Sequence, residues 1–328
     1  MSHFTVLVVG ENLDEQLAPF QENNMGDCPR EYMEFHDTEA EMLKEYETEG
    51  TEMIVLADGT MKFTWDDEFE VPRADFFDKR EYSYPEGSVQ RNVPYKERYA
   101  TFEEFAQEFH GHEKRDAEKG RYGYWENPNR KWDWWSLGGR WSGFFQLRPN
   151  ADGQLGKRSL LDDSPDTREG RADRAYKRDI DFDAMKHEGR YRANKTYDAF
   201  EEFKEKFPEF RGWKYFREEK FPDDIDAARE AYRAQAGHKE LDEALGFKMG
   251  CWFDELSIGR EKYVAQEEAS ALMTFAVLKD GKWYERGEMG WWGIVSDEKE
   301  TDKWTEEYMK LLDELPEDAV LNVIDCHI

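Results

Sequence analysis

Compact apolar runs stand near both ends of the chain, and this pairing constrains the fold more than any other feature. Residues 4–9 (Phe-Thr-Val-Leu-Val-Val) are rich in β-branched side chains and are closed by Gly10. Such a run reads as a buried strand, not a helix. Residues 320–324 (Val-Leu-Asn-Val-Ile) read the same way. The economical arrangement is an α+β fold whose mixed sheet core is built from both chain ends. Parallel pairing of the two end strands is one arrangement this allows.

Between the ends the pattern changes twice. In the first part of the core, residues 1–150, residues 53–56 and 61–65 flank Ala57-Asp58-Gly59-Thr60 and read as a hairpin, because Asp-Gly supplies the positive φ of a tight turn. Thr101 with Glu104 makes a capping box, and Phe102, Phe105, Ala106 and Phe109 follow at helical spacing, which predicts a helix over residues 101–119. Trp141, Gly143, Phe145 and Leu147 alternate with Arg140, Ser142, Phe144 and Gln146, the period of a strand ending at Pro149. Residues 151–262 are densely charged with helical spacing and form the expected helical insertion, entered through a polar, exposed connection over residues 152–170. Residues 263–328 close the core with strands at 273–278, 283–285 and 291–295. Trp304, Tyr308, Leu311, Leu312 and Leu315 then mark a helix stopped by Pro316.

The net charge of -29 is unevenly spread over the 328 residues. Residues 1–78 carry 21 acids against 4 bases, and residues 263–328 carry 16 against 6, whereas the middle is nearly balanced. So negative a surface repels nucleic acid and anionic membrane, and suits a basic protein partner. A merely solubilising surface is the plain alternative. Cys28, Cys251 and Cys326 are far apart and show no metal or redox spacing, which fits a reducing cytosol. Nowhere do about 18 apolar residues run together, so no membrane span is expected.

Four of the twelve tryptophans fall within residues 127–141, with Trp125 just ahead. Strand geometry would put Trp132 and Trp134 on one face and Asp133 and Trp135 on the other, with Gly138 and Gly139 allowing a reversal before Arg140 and Trp141. Arg130, Lys131 and Arg140 are candidates to stack on the rings, with Asp133 holding one of them. Arg130, Lys131, Trp132, Asp133, Trp134, Trp135, Arg140 and Trp141 therefore form the candidate binding surface, since Trp and Arg dominate protein hot spots. The competing interpretation is a rigid aromatic hairpin that fixes the core.

Other chemistry-bearing patterns are weaker. His110 and His112, two apart on the expected helix, would point to nearly opposite sides. Cys326 and His327 would face opposite ways on a strand. Asp179, Asp181 and Asp183 resemble the start of a calcium loop, but Ala184 stands where the turn glycine belongs and Arg190 where the closing carboxylate belongs. Asp198 with Glu218 and Lys220 superficially offers carboxylates and a lysine for metal-assisted phosphodiester cleavage. The common phosphate-cradling, nucleophile-elbow and dinucleotide motifs are missing from the sequence. No catalytic residue, metal or cofactor is expected.

The opening residues 1–10, then Leu17-Ala18-Pro19-Phe20, then Asn127-Pro128-Asn129 through Lys131-Trp132-Asp133-Trp134 to Gly138-Gly139-Arg140-Trp141 resemble a family of tailed-bacteriophage proteins. The likeness extends to Gly170-Arg171-Ala172-Asp173 and Asp179-Ile180-Asp181-Phe182. In size, acidity and phage character the chain is also similar to the Gabija anti-defence proteins. That resemblance implies an inhibitor without catalysis, which assembles as a homo-oligomer in the host cytoplasm, binds a host nuclease–NTPase complex and blocks its access to DNA. Neither direct nucleic-acid binding nor membrane association is expected. The alternatives are a metal-dependent phage enzyme acting on nucleotides or nucleic acid, and a small-ligand binding module using the tryptophan segment.

Overall fold

The computed structural model describes residues 2–72, 80–158, 168–245 and 252–328. Cys251 and much of the connection expected over residues 152–170 lie outside them. The chain divides into two compact units: Met1–Asn24 with Lys131–Ile328, and Met25–Arg130. This division falls inside the stretch 1–150 that composition alone treats as one part.

The larger unit is an α+β fold whose sheet is built from both chain ends. Its strand order is Arg174–Tyr176, Val320–His327, His3–Val9, Ala276–Lys279 and Lys282–Glu285. The two end strands pair along nearly their whole length, from His3 opposite His327 to Val9 opposite Leu321, and they run antiparallel. Parallel pairing belongs instead to His3–Val9 and Ala276–Lys279, with Val6 beside Ala276. The far edge of the closing strand is shared: Arg174–Tyr176 takes residues 320–322, and Trp134–Leu137 takes residues 324–327.

Both faces of this sheet are covered, which is why the end strands are apolar at consecutive positions. Leu7, Val277, Leu321 and Val323 pack with Trp304, Tyr308, Leu311 and Leu312 of the helix Thr301–Asp313. Phe4, Val6, Val8, Ala276, Leu278, Ile324 and Cys326 pack on the opposite side with Leu17, Phe20 and Trp132. The insertion supplies the 25-residue helix Phe182–Lys206, capped by Asp181, whose carboxylate accepts the Ala184 N–H at 2.9 Å. This cap is the role the structure gives to one of the three spaced aspartates. The helix packs through Ala193, Tyr197 and Phe200 against Leu256 and Tyr263.

The unit Met25–Arg130 holds a three-stranded antiparallel sheet, in which Gly50–Val55 lies between Met61–Phe63 and Val89–Pro94. The hairpin turn forms as expected at residues 57–60, with Gly59 at φ +88°. Its core gathers Met42, Tyr95, Tyr99, Phe105, Ala106 and Tyr122. The capping box of Thr101 and Glu104 is present, but the helix spans only Phe102–Glu108. Gly111, at φ +72°, stands just beyond its end where helical geometry cannot continue.

Two expected strands are replaced by turns. Gly139–Trp141 is a 3₁₀ turn and Gly143 has φ +85°, so only Phe145–Gln146 is extended in the stretch read as alternating. Residues 291–293 form another turn, with Trp292 at φ +62°, and the strand there shrinks to Val295–Ser296. A left-handed backbone at a bulky aromatic residue costs about 1–3 kcal/mol.

Candidate functional site

The tryptophan segment is drawn into the sheet by backbone pairing. Trp132 forms a parallel bridge with Gln21, and its N–H and that of Lys131 both donate to the Phe20 carbonyl. The Trp132 ring is only 6% exposed, and its indole N–H donates to the Leu17 carbonyl at 3.1 Å. Burial of an indole requires such a partner. Trp135 packs on the same apolar cluster as Trp132. The expected alternation therefore fails, because extended pairing begins only at Trp134, leaving Trp132 and Trp135 together.

Trp134 lies opposite His327 at the sheet end, and the two rings stack with centroids 5.2 Å apart. His3 meets Trp134 edge-on at 5.3 Å and His327 at 4.9 Å, closing a triangle of rings. Each imidazole leans on a carboxylate: His3 Nδ1 is 2.8 Å from Asp325 Oδ1, and His327 Nδ1 is 2.6 Å from Asp133 Oδ1. Asp133 also accepts from Asn24 Nδ2 at 3.0 Å and donates its own N–H to the His327 carbonyl at 2.9 Å. It thus holds a histidine and an asparagine where the sequence suggested one of Arg130, Lys131 and Arg140. The side chains of His3 and His327 are 9% and 8% exposed. The two histidine–aspartate pairs, placed ring against ring, fix both imidazoles at the sheet end.

Gly138 and Gly139 serve this network by making room for two buried aspartates. Both have positive φ, and a Cβ at Gly138 would strike the Asp173 carboxylate while one at Gly139 would strike Asp325. Asp173 is fully buried and accepts from the backbone N–H groups of Gly143, Phe144 and Gly156 at 2.7–3.0 Å, with the Ser142 hydroxyl 2.8 Å away. Asp325 accepts the Arg140 N–H at 2.9 Å. Buried carboxylates persist where donors surround them. The reversal expected at these glycines is present, and its physical reason is close approach to acid side chains.

The basic residues of the segment take other partners. Lys131 reaches Glu285 at 2.7 Å, and Arg130, in the unit Met25–Arg130, reaches Glu126 at 2.8 Å. Arg140 extends an exposed side chain. Among the described residues, none of these three stacks on a ring; Trp125 is covered instead by Arg30 and Lys119. Trp141 lines a cleft of about 250 Å³ with Phe144, Arg171 and Glu188. The structure thus gathers Trp132, Asp133, Trp134 and Trp135 onto the sheet.

His3, Asp173 and Asp325 were invisible to local sequence reading. His3 and Asp325 are 322 positions apart. The one available signal was Asp325 and His327 standing inside a mostly apolar strand. Cys326, between them, is fully buried in the opposite cluster. Burial, with Asp325 and Asp133 nearby, pushes its thiol well above the usual range.

In the unit Met25–Arg130, a groove of about 560 Å³ is lined by Glu41, Glu45 and Glu49, with His110, His112 and Tyr124. Because the helix stops at Glu108, the two histidines share this groove and do not point to opposite sides. His110 Nε2 is 2.9 Å from Glu45, while burial, with His110 close by, pushes His112 below its usual range. Asp198 is bound by Arg260 at 2.5 Å in the other unit. Among the described residues, no three His, Cys, Asp or Glu side chains are grouped to hold a metal ion. No described helix is long and apolar enough to cross a membrane. No protein-family model matches the chain, and neither a curated protein nor a solved structure gives a significant match.

Proposed function

We propose that this chain is a phage-encoded anti-defence protein that binds a host immune complex of the Gabija nuclease–NTPase type and blocks its access to DNA without catalysis. The observation that carries this reading is the concentration of carboxylates in one compact unit. Residues 25–130 carry 27 acids against 14 bases, and Glu41, Glu45 and Glu49 open into a single groove there. Such a surface mimics the charge of the polyanion that a DNA-binding channel accepts. The tryptophan segment supports the reading indirectly: much of it is taken up by packing, so contact falls to the acidic surfaces. Assembly as a homo-oligomer in the host cytoplasm belongs to the same proposal. Co-purification with the complex, together with restored phage growth in a Gabija-carrying host, is the expected outcome. A chain that neither co-purifies nor protects contradicts it.

A second reading, a phage enzyme acting on nucleotides or nucleic acid, is favoured by the paired His3–Asp325 and His327–Asp133 contacts. Hydrolysis of a nucleotide panel that His327→Asn abolishes, while the fold is retained, would select it. A small-ligand binding module using the tryptophan segment remains the third reading; unchanged tryptophan fluorescence across that panel would count against it.

A further inference from the structure

We propose that the turn carrying Trp292 and Ile294 is the apolar anchor of a protein interface, and that it fits an apolar pocket rimmed by lysine and arginine. The proposal rests on the binding reading above and names a surface through which binding occurs. Trp292 is 80% exposed and Ile294 68%. Two large apolar side chains side by side in water mark a contact surface more often than a fold element.

The backbone beneath them is held. Glu288 pairs with Ser296 and Met289 with Val295, and the Gly290 N–H closes the turn on the Ile294 carbonyl at 2.8 Å. The buried Ser2 hydroxyl donates to the Gly290 carbonyl and accepts the Gly293 N–H, each at 2.7 Å. A fixed turn that points tryptophan outward loses little freedom when it docks. Trp292 also sits at φ +62°, where glycine would rest without strain. A turn needed only to reverse the chain has no use for tryptophan there. Strain at an exposed aromatic residue is the outlier from which a contact role is argued.

Charge selects the occupant. Glu288, Asp297, Glu298 and Glu300 flank the turn and are exposed. Glu298 is paired with Arg286 at 2.6 Å and Glu300 with Lys303 at 3.7 Å, whereas Glu288 and Asp297 have no ion pair among the described residues. An apolar tip within an acidic rim is complementary to an apolar pocket with a basic rim. The same rim repels an anionic bilayer and a second copy of this turn.

The test has two arms. Benzoylphenylalanine at position 292 is photo-crosslinked in Gabija-carrying cells that express the full chain, and the affinities of wild type and Trp292→Gly for the purified nuclease–NTPase complex are compared. The expected adducts map to apolar residues within a lysine- and arginine-rich surface of one protein. Trp292→Gly is expected to weaken binding to that protein by about 30-fold or more with its melting temperature maintained. No adduct, adducts confined to lipid or to a second copy, or equal affinity of both proteins would overturn the anchor. If the purified complex ignores wild type while position 292 marks another basic protein whose binding Trp292→Gly weakens, the Gabija reading falls and the anchor stands. If the complex binds both proteins equally, the anchor falls and the Gabija reading stands.

Discussion

Two tryptophan-bearing stretches of the larger unit follow opposite rules. Around Trp132 and Trp134 the rings are packed, and the polar groups near them are matched: an indole N–H to Leu17, two imidazoles to Asp325 and Asp133, and Asp173 to three backbone N–H groups. Around Trp292 the backbone is equally well held, yet the ring stands in water in a strained conformation. The difference teaches that enrichment in tryptophan does not separate core from contact surface. What separates them is where the polar partners lie: beside the rings in the first stretch, and only beneath the backbone in the second.

The comparison breaks most readily at the buried acids. Asp173→Ala should leave three backbone N–H groups without an acceptor and lower stability by at least about 3 kcal/mol in urea unfolding. A loss under 1 kcal/mol would remove the argument that this network fixes the segment. Gly139→Ala should cost at least about 2 kcal/mol, since its Cβ meets Asp325 at a positive φ. Trp132→Phe keeps most of the apolar volume and removes the indole's hydrogen bond to the Leu17 carbonyl, for an expected loss of about 1–2 kcal/mol.

At high pH the buried side of the comparison sharpens. Tyr308 is fully buried, and burial pushes its hydroxyl up to about 12, against an ordinary value of about 10. A folded-state value raised above the unfolded one gives stability that is complete below about pH 10 and is lost as pH rises toward 12. Melting temperature should fall across that window. Tyr308→Phe should flatten the fall without abolishing it, because burial also pushes Tyr95 and Tyr263 up to about 12. An unchanged slope in the variant would show that Tyr308 ionises without unfolding. The smallest effect is expected at the exposed side: Trp292→Gly should leave stability within about 1 kcal/mol of wild type or raise it slightly, by relief of the left-handed strain.

The fold was legible where consecutive apolar residues announce burial on two faces. Residues 4–9 and 320–324 are of this kind, as are the Asp58-Gly59 turn and the Thr101–Glu104 capping box. The direction of pairing was not, because apolar runs carry no sign for parallel or antiparallel, and the partner of the opening strand on its parallel side lies about 270 residues away. The helix past Glu108 and the strand through Gly143 were overread, since single glycines at positive φ ended patterns that periodicity alone would continue. Within the candidate site, Trp132 through Trp135 and the glycine pair were visible, and their partners were not. His3, Asp173 and Asp325 reach the segment only through sheet pairing, which no local spacing encodes. The strand expected over residues 291–295 gives way to a turn at Trp292, for which its neighbours Gly290 and Gly293 are the signal.

The central claim, that this chain acts by binding through acidic and apolar surfaces with its tryptophan segment committed to the fold, is tested most directly by one titration. Purified wild-type protein is titrated into the purified Gabija nuclease–NTPase complex at a series of salt concentrations. Saturable binding that weakens by about 10-fold or more between roughly 50 and 500 mM sodium chloride is the predicted result, as expected when charge complementarity drives encounter. No binding at low salt, or an affinity indifferent to salt, would contradict it.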